Sequence, residues 1–124
     1  METVREHQVY QYTVYVTQEK LETFYLPYVP GTAWPRWHPD FIDATPAEAS
    51  KAAAIARILE RTGLKRGEII AFGDGGNDIS MLQYAGIGVA MGNAVAEVRA
   101  VADHVTADVD DDGLRKAFRH FGLL

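Results

Sequence analysis

One short stretch constrains the fold of this 124-residue chain more than any other. The sequence Gly73-Asp74-Gly75-Gly76-Asn77-Asp78 follows the apolar run Ile69–Phe72 and precedes Ile79–Leu82. An apolar run bounded by glycines predicts a buried strand. The two aspartates then lie at the carboxyl end of that strand, where open α/β sheets place their ligand crevices. Two carboxylates and an amide among glycines suit a hard cation and a phosphate. The competing interpretation is a polar strand-to-helix turn in which Asn77 or Asp78 caps the helix.

Three blocks of this sequence stand out, namely GDGGNDISML at 73–82, AGIGVAMGNA at 85–94 and ADHVT at 102–106. They resemble the haloacid dehalogenase (HAD) superfamily, and most closely its Cof-type sugar-phosphatase branch (cap class IIB). Lys51 falls 23 residues before Asp74 and occupies the position of that family's lysine. The aromatic-proline stretch at 34–39 and the ending His120–Leu124 also look like members of this branch, so the likeness runs from about residue 8 to the C-terminus.

The resemblance implies an α/β fold, namely half of a HAD-type Rossmann-like parallel sheet core preceded by a remnant of an α+β cap. Residues 1–38 are then the end of the cap domain, as a strand–helix–strand unit. Residues 39–124 are the C-terminal half of the core. The implied activity is that of a Mg²⁺-dependent phosphatase, which hydrolyses small phosphate monoesters such as sugar phosphates through an aspartyl-phosphate.

The resemblance also assigns roles to four catalytic residues. Asp74 is implied to bind Mg²⁺ directly. Asp78 is implied to be a further metal ligand, or an acceptor that orients a metal-bound water or Lys51. Lys51 would place an ammonium between the nucleophile and the phosphate. Asn77 would donate a hydrogen bond to a phosphate oxygen.

One departure from the family matters equally. The family's nucleophile is the first Asp of an Asp-x-Asp-Gly-Thr motif, and this sequence contains no such motif. The family's second motif, a Ser or Thr after another strand, has no clear candidate either. We therefore expect the C-terminal half of an enzyme, inactive by itself because the covalent nucleophile is missing. The alternative is a catalytically inactive truncated module that binds metal or phosphate, or assembles with another chain.

An expectation about assembly follows from the missing nucleophile strand, which in this family lies beside the strand that ends at Asp74. Without it, the strand at 69–72 has an unpaired edge and an uncovered apolar flank. Such edges pair readily with another chain. We therefore expect a homo-oligomer formed through the exposed core edge, most simply a two-fold dimer.

The composition of the chain indicates which kinds of molecule it binds and in which cellular compartment it lies. The net charge is −5 and the pI is about 5.3, which disfavours nucleic acid and anionic membranes as partners. There are no cysteines, and the start Met1–His7 is too polar for a signal peptide. The sequence therefore predicts a cytoplasmic protein whose partner is a small phosphorylated metabolite.

Secondary structure is predicted from the periodicity of apolar residues and from the residues that typically end helices and strands. Alternation over 10–17 predicts a strand that buries Tyr10, Tyr12, Val14 and Val16, and the aromatic residues of 1–38 are interpreted as packing in the core of a twisted sheet. A short helix is predicted at 18–26 and a return strand at 33–38. After residue 40, strand–helix alternation predicts a parallel sheet. The predicted strands are 41–44, 69–73, 87–91 and 104–106. One predicted helix ends at Gly63, and the others span 77–85, 95–102 and 113–120.

The start of the helix that ends at Gly63 is ambiguous. Thr45-Pro46-Ala47-Glu48 has the pattern of a capping box with Pro at the first helical position. Ser50 is a second possible cap, and the resemblance favours it because Lys51 would then lie in the first turn of the helix. We adopt Ser50.

Two segments of the sequence also resemble other known motifs. The loop at 73–78 loosely matches a dinucleotide fingerprint, but Asp78 replaces the third glycine and would repel a pyrophosphate. The acidic stretch Asp108–Gly113 matches half of an EF-hand loop, but Arg119 stands where a bidentate Glu is needed. The same stretch lacks the Gly-Thr that follows a HAD nucleophile. It is therefore interpreted as a solvated acidic turn in which Asp112 caps the last helix.

Overall fold

The computed structural model describes residues 7–36 and 38–124. These residues divide into two compact units, the first ending at Ala49 and the second running from Ser50 to Leu124. The assignment of 1–38 to a cap and 39–124 to a core stays a prediction. Residues 1–6, on which the signal-peptide argument depends, and Trp37 in the predicted return strand lie outside the described residues.

The first unit is built on a three-stranded antiparallel sheet with the order β1-β3-β2. Strand β1 is Tyr12–Tyr15, β2 is Thr32–Ala33 and β3 is Phe41–Pro46. A helical segment joins β1 to β2, as predicted. It consists of α1 (Gln18–Lys20), a π-helical turn (Leu21–Tyr25) and a 3₁₀ turn (Leu26–Tyr28).

The pairing of β3 corrects the sequence analysis, which placed a strand at 41–44 in the parallel sheet. β3 instead pairs antiparallel with both β1 and β2, with Val14 opposite Ile42 and Ala33 opposite Thr45. An apolar run indicates that a strand is buried, but it does not indicate which other strand pairs with it. The central position of β3 also rules out a helix that begins at Thr45.

The core of the first unit is small. Val16, Leu21 and Ile42 are buried, and Val14 and Trp34 pack against them. The prediction that Tyr10 and Tyr12 share this buried face was wrong, because both side chains are largely exposed. The other aromatic residues of this unit that the structure leaves mostly exposed are Tyr15, Phe24 and Tyr28. A unit of this size does not supply enough apolar surface to cover them.

The second unit contains a parallel sheet with the order β4-β5-β6, which confirms the predicted parallel α/β core. Strand β4 is Ile70–Gly73, β5 is Ile87–Ala90 and β6 is His104–Val105. Its helices are α2 (Lys51–Thr62), α3 (Ile79–Tyr84), α4 (Ala96–Val101) and α5 (Gly113–His120). Short 3₁₀ turns at Arg66–Glu68, Gly76–Asp78 and Val109–Asp111 connect them.

The buried core of this unit lies between the sheet and helices α3 and α4. It consists of Ala71, Leu82, Ala85, Ala90, Ala94 and Val98. On β4, Ala71 belongs to this cluster, whereas the ring of Phe72 packs on Phe118 of α5 at a centroid distance of 5.3 Å. Within the described residues β4 pairs with β5 alone, so its other edge carries no strand.

Helix α2 begins and ends where the sequence predicts. Ser50 is the N-cap, and its Oγ accepts a hydrogen bond from the amide of Ala53 at 3.1 Å. Gly63 ends the helix in the left-handed conformation with φ 74°, which glycine adopts without steric cost. Lys51 is therefore the first residue of α2.

In the described part of the chain, no helix is long and apolar enough to cross a membrane.

Candidate active site

The loop that follows β4 folds around the carboxylate of Asp78. Oδ2 of Asp78 accepts hydrogen bonds from the backbone amides of Asp74 at 3.0 Å and Gly75 at 3.1 Å. The backbone of Gly73 lies so close to Asp78 that a Cβ on Gly73 would lie 2.5 Å from the Cβ of Asp78. The glycine before Asp74 is therefore required for the buried carboxylate to fit beneath the loop. Asp78 stands at the N-cap position of α3 without making a side-chain capping bond, so it does not cap the helix.

Lys51 contacts the other oxygen of the same carboxylate. Its Nζ donates a hydrogen bond to Oδ1 of Asp78, and the two groups form an ion pair. The Asp78 side chain is 6% exposed, whereas the Lys51 side chain is 49% exposed. The ammonium is therefore bound to a buried anion and still has access to solvent. With Lys51 on Oδ1 and two amides on Oδ2, both oxygens of Asp78 have partners.

The electrostatics of Asp78 follow from these contacts. Burial acts to raise the pKa of its carboxyl group, because a low-dielectric surrounding disfavours the charged form. The hydrogen bond from Lys51 and those from the backbone of Asp74 and Gly75 outweigh burial, so the pKa lies below its ordinary value. Asp78 is therefore ionised at neutral pH.

Asp74 is exposed, in contrast to the buried Asp78. Its Oδ2 accepts a hydrogen bond from Nδ2 of Asn93 at 3.1 Å. Its Oδ1 accepts none from any described residue. Asp74 therefore presents one open carboxylate oxygen at the carboxyl end of β4, where a cation has access.

The fit of this site to Mg²⁺ is partial. An exposed carboxylate with a free oxygen is the ligand that Mg²⁺ takes in proteins, and Asp74 supplies one. Asp78, the other predicted metal ligand, already has partners on both oxygens. Among the described residues, no group of three or more His, Cys, Asp or Glu side chains is placed to hold a metal ion. Asp74 would therefore hold the ion together with oxygen ligands from outside this set.

Asn77 lies in the same loop but is not joined to the other predicted site residues. It belongs to the 3₁₀ turn Gly76–Asp78 and is partly buried. Its side chain makes no hydrogen bond to a described residue. The amide is free to bind a ligand, and the structure brings together Lys51, Asp74 and Asp78 without it.

Asn93 is the residue of this site that the sequence analysis missed. It lies after β5, 19 residues from Asp74, within the block at 85–94 that carries the family resemblance. One signal was available. Because β4 and β5 are parallel, a polar residue that follows either strand lies at the same edge of the sheet.

The acidic stretch Asp108–Gly113 has its own internal contacts. Oδ1 of Asp108 accepts from the amide of Asp110 at 3.0 Å, and Asp111 pairs with Lys116 at 2.7 Å. The prediction that Asp112 caps the last helix is right about the position but not about a side-chain capping bond. Asp112 occupies the N-cap position in a left-handed conformation, and its carboxylate makes no capping bond.

Comparison with known proteins identifies the family. The sequence model of the haloacid dehalogenase-like hydrolases matches residues 2–118. This chain belongs to the haloacid dehalogenase-like hydrolase family. The predicted HAD resemblance is thereby confirmed.

Two solved HAD structures are similar over nearly the whole chain. The phosphatase BT1666 of Bacteroides thetaiotaomicron superposes with a TM-score of 0.92 and is 45% identical, covering 99% of this chain and 46% of its own. The HAD subclass IIB sugar phosphatase BT4131 has a TM-score of 0.89 and 46% identity, covering 99% of this chain and 47% of its own.

A third similar protein is a phosphatase named for its substrate. The 5-amino-6-(5-phospho-D-ribitylamino)uracil phosphatase YcsE of Bacillus subtilis is 42% identical over 85 residues, which is 68% of this chain and 34% of YcsE. The chain thus spans about a third of YcsE and just under half of the two solved structures.

Proposed function

We propose that this chain carries the C-terminal half of the active site of a Mg²⁺-dependent phosphatase that hydrolyses small phosphate monoesters, such as sugar phosphates. One observation carries the proposal. The ammonium of Lys51 is hydrogen-bonded to the ionised, buried carboxylate of Asp78, which also binds the loop that bears Asp74. A fixed cation and an exposed carboxylate thus share one edge of a parallel sheet, where α/β proteins bind ligands.

Lys51 has the charge and the placement for stabilising a transferring phosphoryl group. A phosphate dianion and a carboxylate nucleophile repel each other, and a positioned cation lowers that repulsion in the transition state. Asp78 uses one donor of the Lys51 ammonium, which leaves two N–H groups for a phosphate oxygen or the nucleophile. Because the pKa of Asp78 lies below its ordinary value, the anion that positions Lys51 persists at neutral pH.

Asp74 and Asn77 take the remaining proposed roles. Asp74 would hold Mg²⁺ through its open oxygen, together with ligands from outside the described residues. When bound, the ion neutralises charge on the phosphoryl oxygens. Asn77 has a free side-chain amide in the same loop and would donate a hydrogen bond to a phosphate oxygen. Asp78 would act as the acceptor that orients Lys51, because neither of its oxygens is open.

We propose that the nucleophile of this reaction is supplied by a residue outside this sequence. In the proposed reaction a carboxylate oxygen bonds to phosphorus while the bond from phosphorus to the leaving alkoxide breaks, and water then hydrolyses the aspartyl-phosphate. This chain holds the charge-stabilising groups and has no Asp-x-Asp-Gly-Thr motif. We therefore infer that it is inactive by itself.

The names of the similar proteins support a phosphorylated metabolite as substrate. BT4131 is a sugar phosphatase, and the substrate of YcsE carries a phosphoribityl group. We also propose that the edge of β4 that is unpaired among the described residues mediates a two-fold homodimer, since open strand edges pair with other chains.

Reconstitution tests the proposed function. The purified chain alone is expected to give no turnover of p-nitrophenyl phosphate. Co-folding with a HAD N-terminal fragment that carries Asp-x-Asp-Gly-Thr is expected to restore Mg²⁺-dependent turnover, and Asp74→Ala should abolish it. Turnover by the chain alone that is lost on Asp74→Ala would overturn the inference that the nucleophile is missing. A folded complex without turnover would favour the inactive binding module.

A further inference from the structure

Asn93 bridges two parts of the second unit. Its Nδ2 donates to Oδ2 of Asp74 at 3.1 Å, and its Oδ1 accepts from the amide of Val109 at 3.2 Å. A single side-chain amide therefore connects the loop after β4 to the acidic stretch Asp108–Gly113. Both its donor and its acceptor are used, which fixes the orientation of the amide plane.

The backbone around Asn93 is fixed on both sides. The amide of Met91 donates to the carbonyl of Gly73 at 2.9 Å, and the amide of Val95 donates to the carbonyl of Asp74 at 3.3 Å. These bonds tie the Asn93 turn directly to the exit of β4. The side chain of Asn93 therefore starts from a backbone that is anchored beside Asp74.

Gly92 lets the turn approach the acidic stretch. Its amide donates to the carbonyl of Ala107 at 3.0 Å, and a Cβ at this position would lie 2.5 Å from the amide nitrogen of Asp108. Only glycine fits such an approach. The close contact places Asn93 within reach of Val109 on one side and Asp74 on the other.

We propose that Asn93 is a positioning residue that holds the Asp74 carboxylate in one orientation, with Oδ2 bonded to the amide and Oδ1 left open for a cation. The part of this inference that concerns the cation rests on the proposed function. Asn93 and Asp74 are both exposed, so neither needs the other to satisfy a buried polar group. Their hydrogen bond contributes little to stability, and its effect is the choice of one rotamer for an otherwise free carboxylate.

Two substitutions separate the two hydrogen bonds. Asn93→Ala removes both of them. Asn93→Asp keeps an oxygen that accepts from Val109 and replaces the donor to Asp74 with a second anion. A residue that only anchored the acidic stretch would tolerate Asn93→Asp, whereas a residue that positions Asp74 would not.

The first readout needs no metal. Three-bond NMR couplings between Cγ of Asp74 and its backbone nitrogen and carbonyl carbon report the side-chain rotamer. We expect one rotamer in the wild-type chain and averaged couplings in both Asn93→Ala and Asn93→Asp. The amide shift of Val109 should stay near its wild-type value in Asn93→Asp alone. Unchanged Asp74 couplings in both folded variants would overturn the proposal.

The second readout uses Mn²⁺, which takes the same oxygen ligands as Mg²⁺ and broadens nearby amide signals. We expect broadening centred on Asp74 and Gly75, about tenfold weaker apparent affinity in Asn93→Ala, and no local broadening in Asp74→Ala. Equal affinity in wild type and Asn93→Ala would overturn the link between positioning and cation binding. If the wild-type chain shows no broadening at Asp74, the proposed metal site fails, while the coupling measurement still decides the role of Asn93.

Discussion

Asp78 holds the ammonium of Lys51 with one carboxylate oxygen and the backbone of the loop after β4 with the other. The buried anion therefore fixes two elements at once, the first turn of α2 and the turn that carries Asp74. Removing it affects both the stability of this region and the geometry of the proposed site.

The first prediction concerns stability and has a matched control. Lys116 is 49% exposed, the same as Lys51, but its partner Asp111 is 71% exposed where Asp78 is 6% exposed. Asp78→Ala should lower the free energy of unfolding by about 1–3 kcal/mol, because two backbone amides lose their acceptor. Asp111→Ala should change it by less than about 1 kcal/mol, as expected for a surface pair. Urea denaturation followed by circular dichroism measures both values, and equal losses would refute the distinction.

The second prediction concerns the pH dependence of stability. Because the pKa of Asp78 is lower in the folded state than in the unfolded state, its ionisation stabilises the fold fully above the unfolded value of about 3.9. That contribution is lost as the pH falls through the lower folded pKa. The stability difference between wild type and Asp78→Asn should therefore be constant from pH 7 to about pH 5 and shrink below about pH 4. A difference that stayed constant down to pH 3 in urea titrations would contradict the lowered pKa.

The structure shows which parts of this site the sequence predicts. The start of α2 at Ser50 and its end at Gly63 were predictable because caps depend on residues within one turn. The pairing of β3 was not, since it depends on residues far away in the sequence. The resemblance named both Lys51 and Asp78, but it left open whether Asp78 binds metal or orients a metal-bound water or Lys51.

Two features of the fold explain what was missed in the site. The backbone amides that occupy Oδ2 of Asp78 converge only when the loop closes around it. Asn93 reaches Asp74 because the parallel pairing of β4 with β5 brings their ends together, with Gly73 opposite Ala90. Neither contact leaves a local pattern in the sequence, whereas the four residues taken from the family resemblance needed no such contact to be named.

The third prediction is weak Mg²⁺ binding by the chain alone. Asp74 offers one open oxygen, and few anionic ligands compensate poorly for dehydration of the ion. Isothermal titration calorimetry should give a dissociation constant in the millimolar range or weaker. Submicromolar binding that is lost on Asp74→Ala would mean that the chain holds a complete metal site by itself.

The fourth prediction is self-association through β4. Light scattering at high micromolar concentration should report a dimer of the 13.7 kDa chain. Ile70→Lys on β4 should shift it toward monomer, because an edge lysine opposes strand pairing. Val105→Lys on β6, the opposite edge of the same sheet, is the control and should leave the dimer intact. A wild-type monomer would refute the prediction, and dissociation by both variants would refute the choice of edge.

The central claim is that Lys51 and Asp74 belong to the phosphoryl-transfer machinery of a HAD phosphatase. The most direct measurement is the kcat/KM of a single-chain chimera in which this chain replaces the matching part of BT4131, to which it is 46% identical. The chimera should hydrolyse phosphate monoesters with Mg²⁺, and Lys51→Ala or Asp74→Ala should each lower kcat/KM by about 100-fold or more. Asp111→Ala should leave kcat/KM unchanged. A folded chimera that is inactive, or one that keeps its activity in both Lys51→Ala and Asp74→Ala, would contradict the claim.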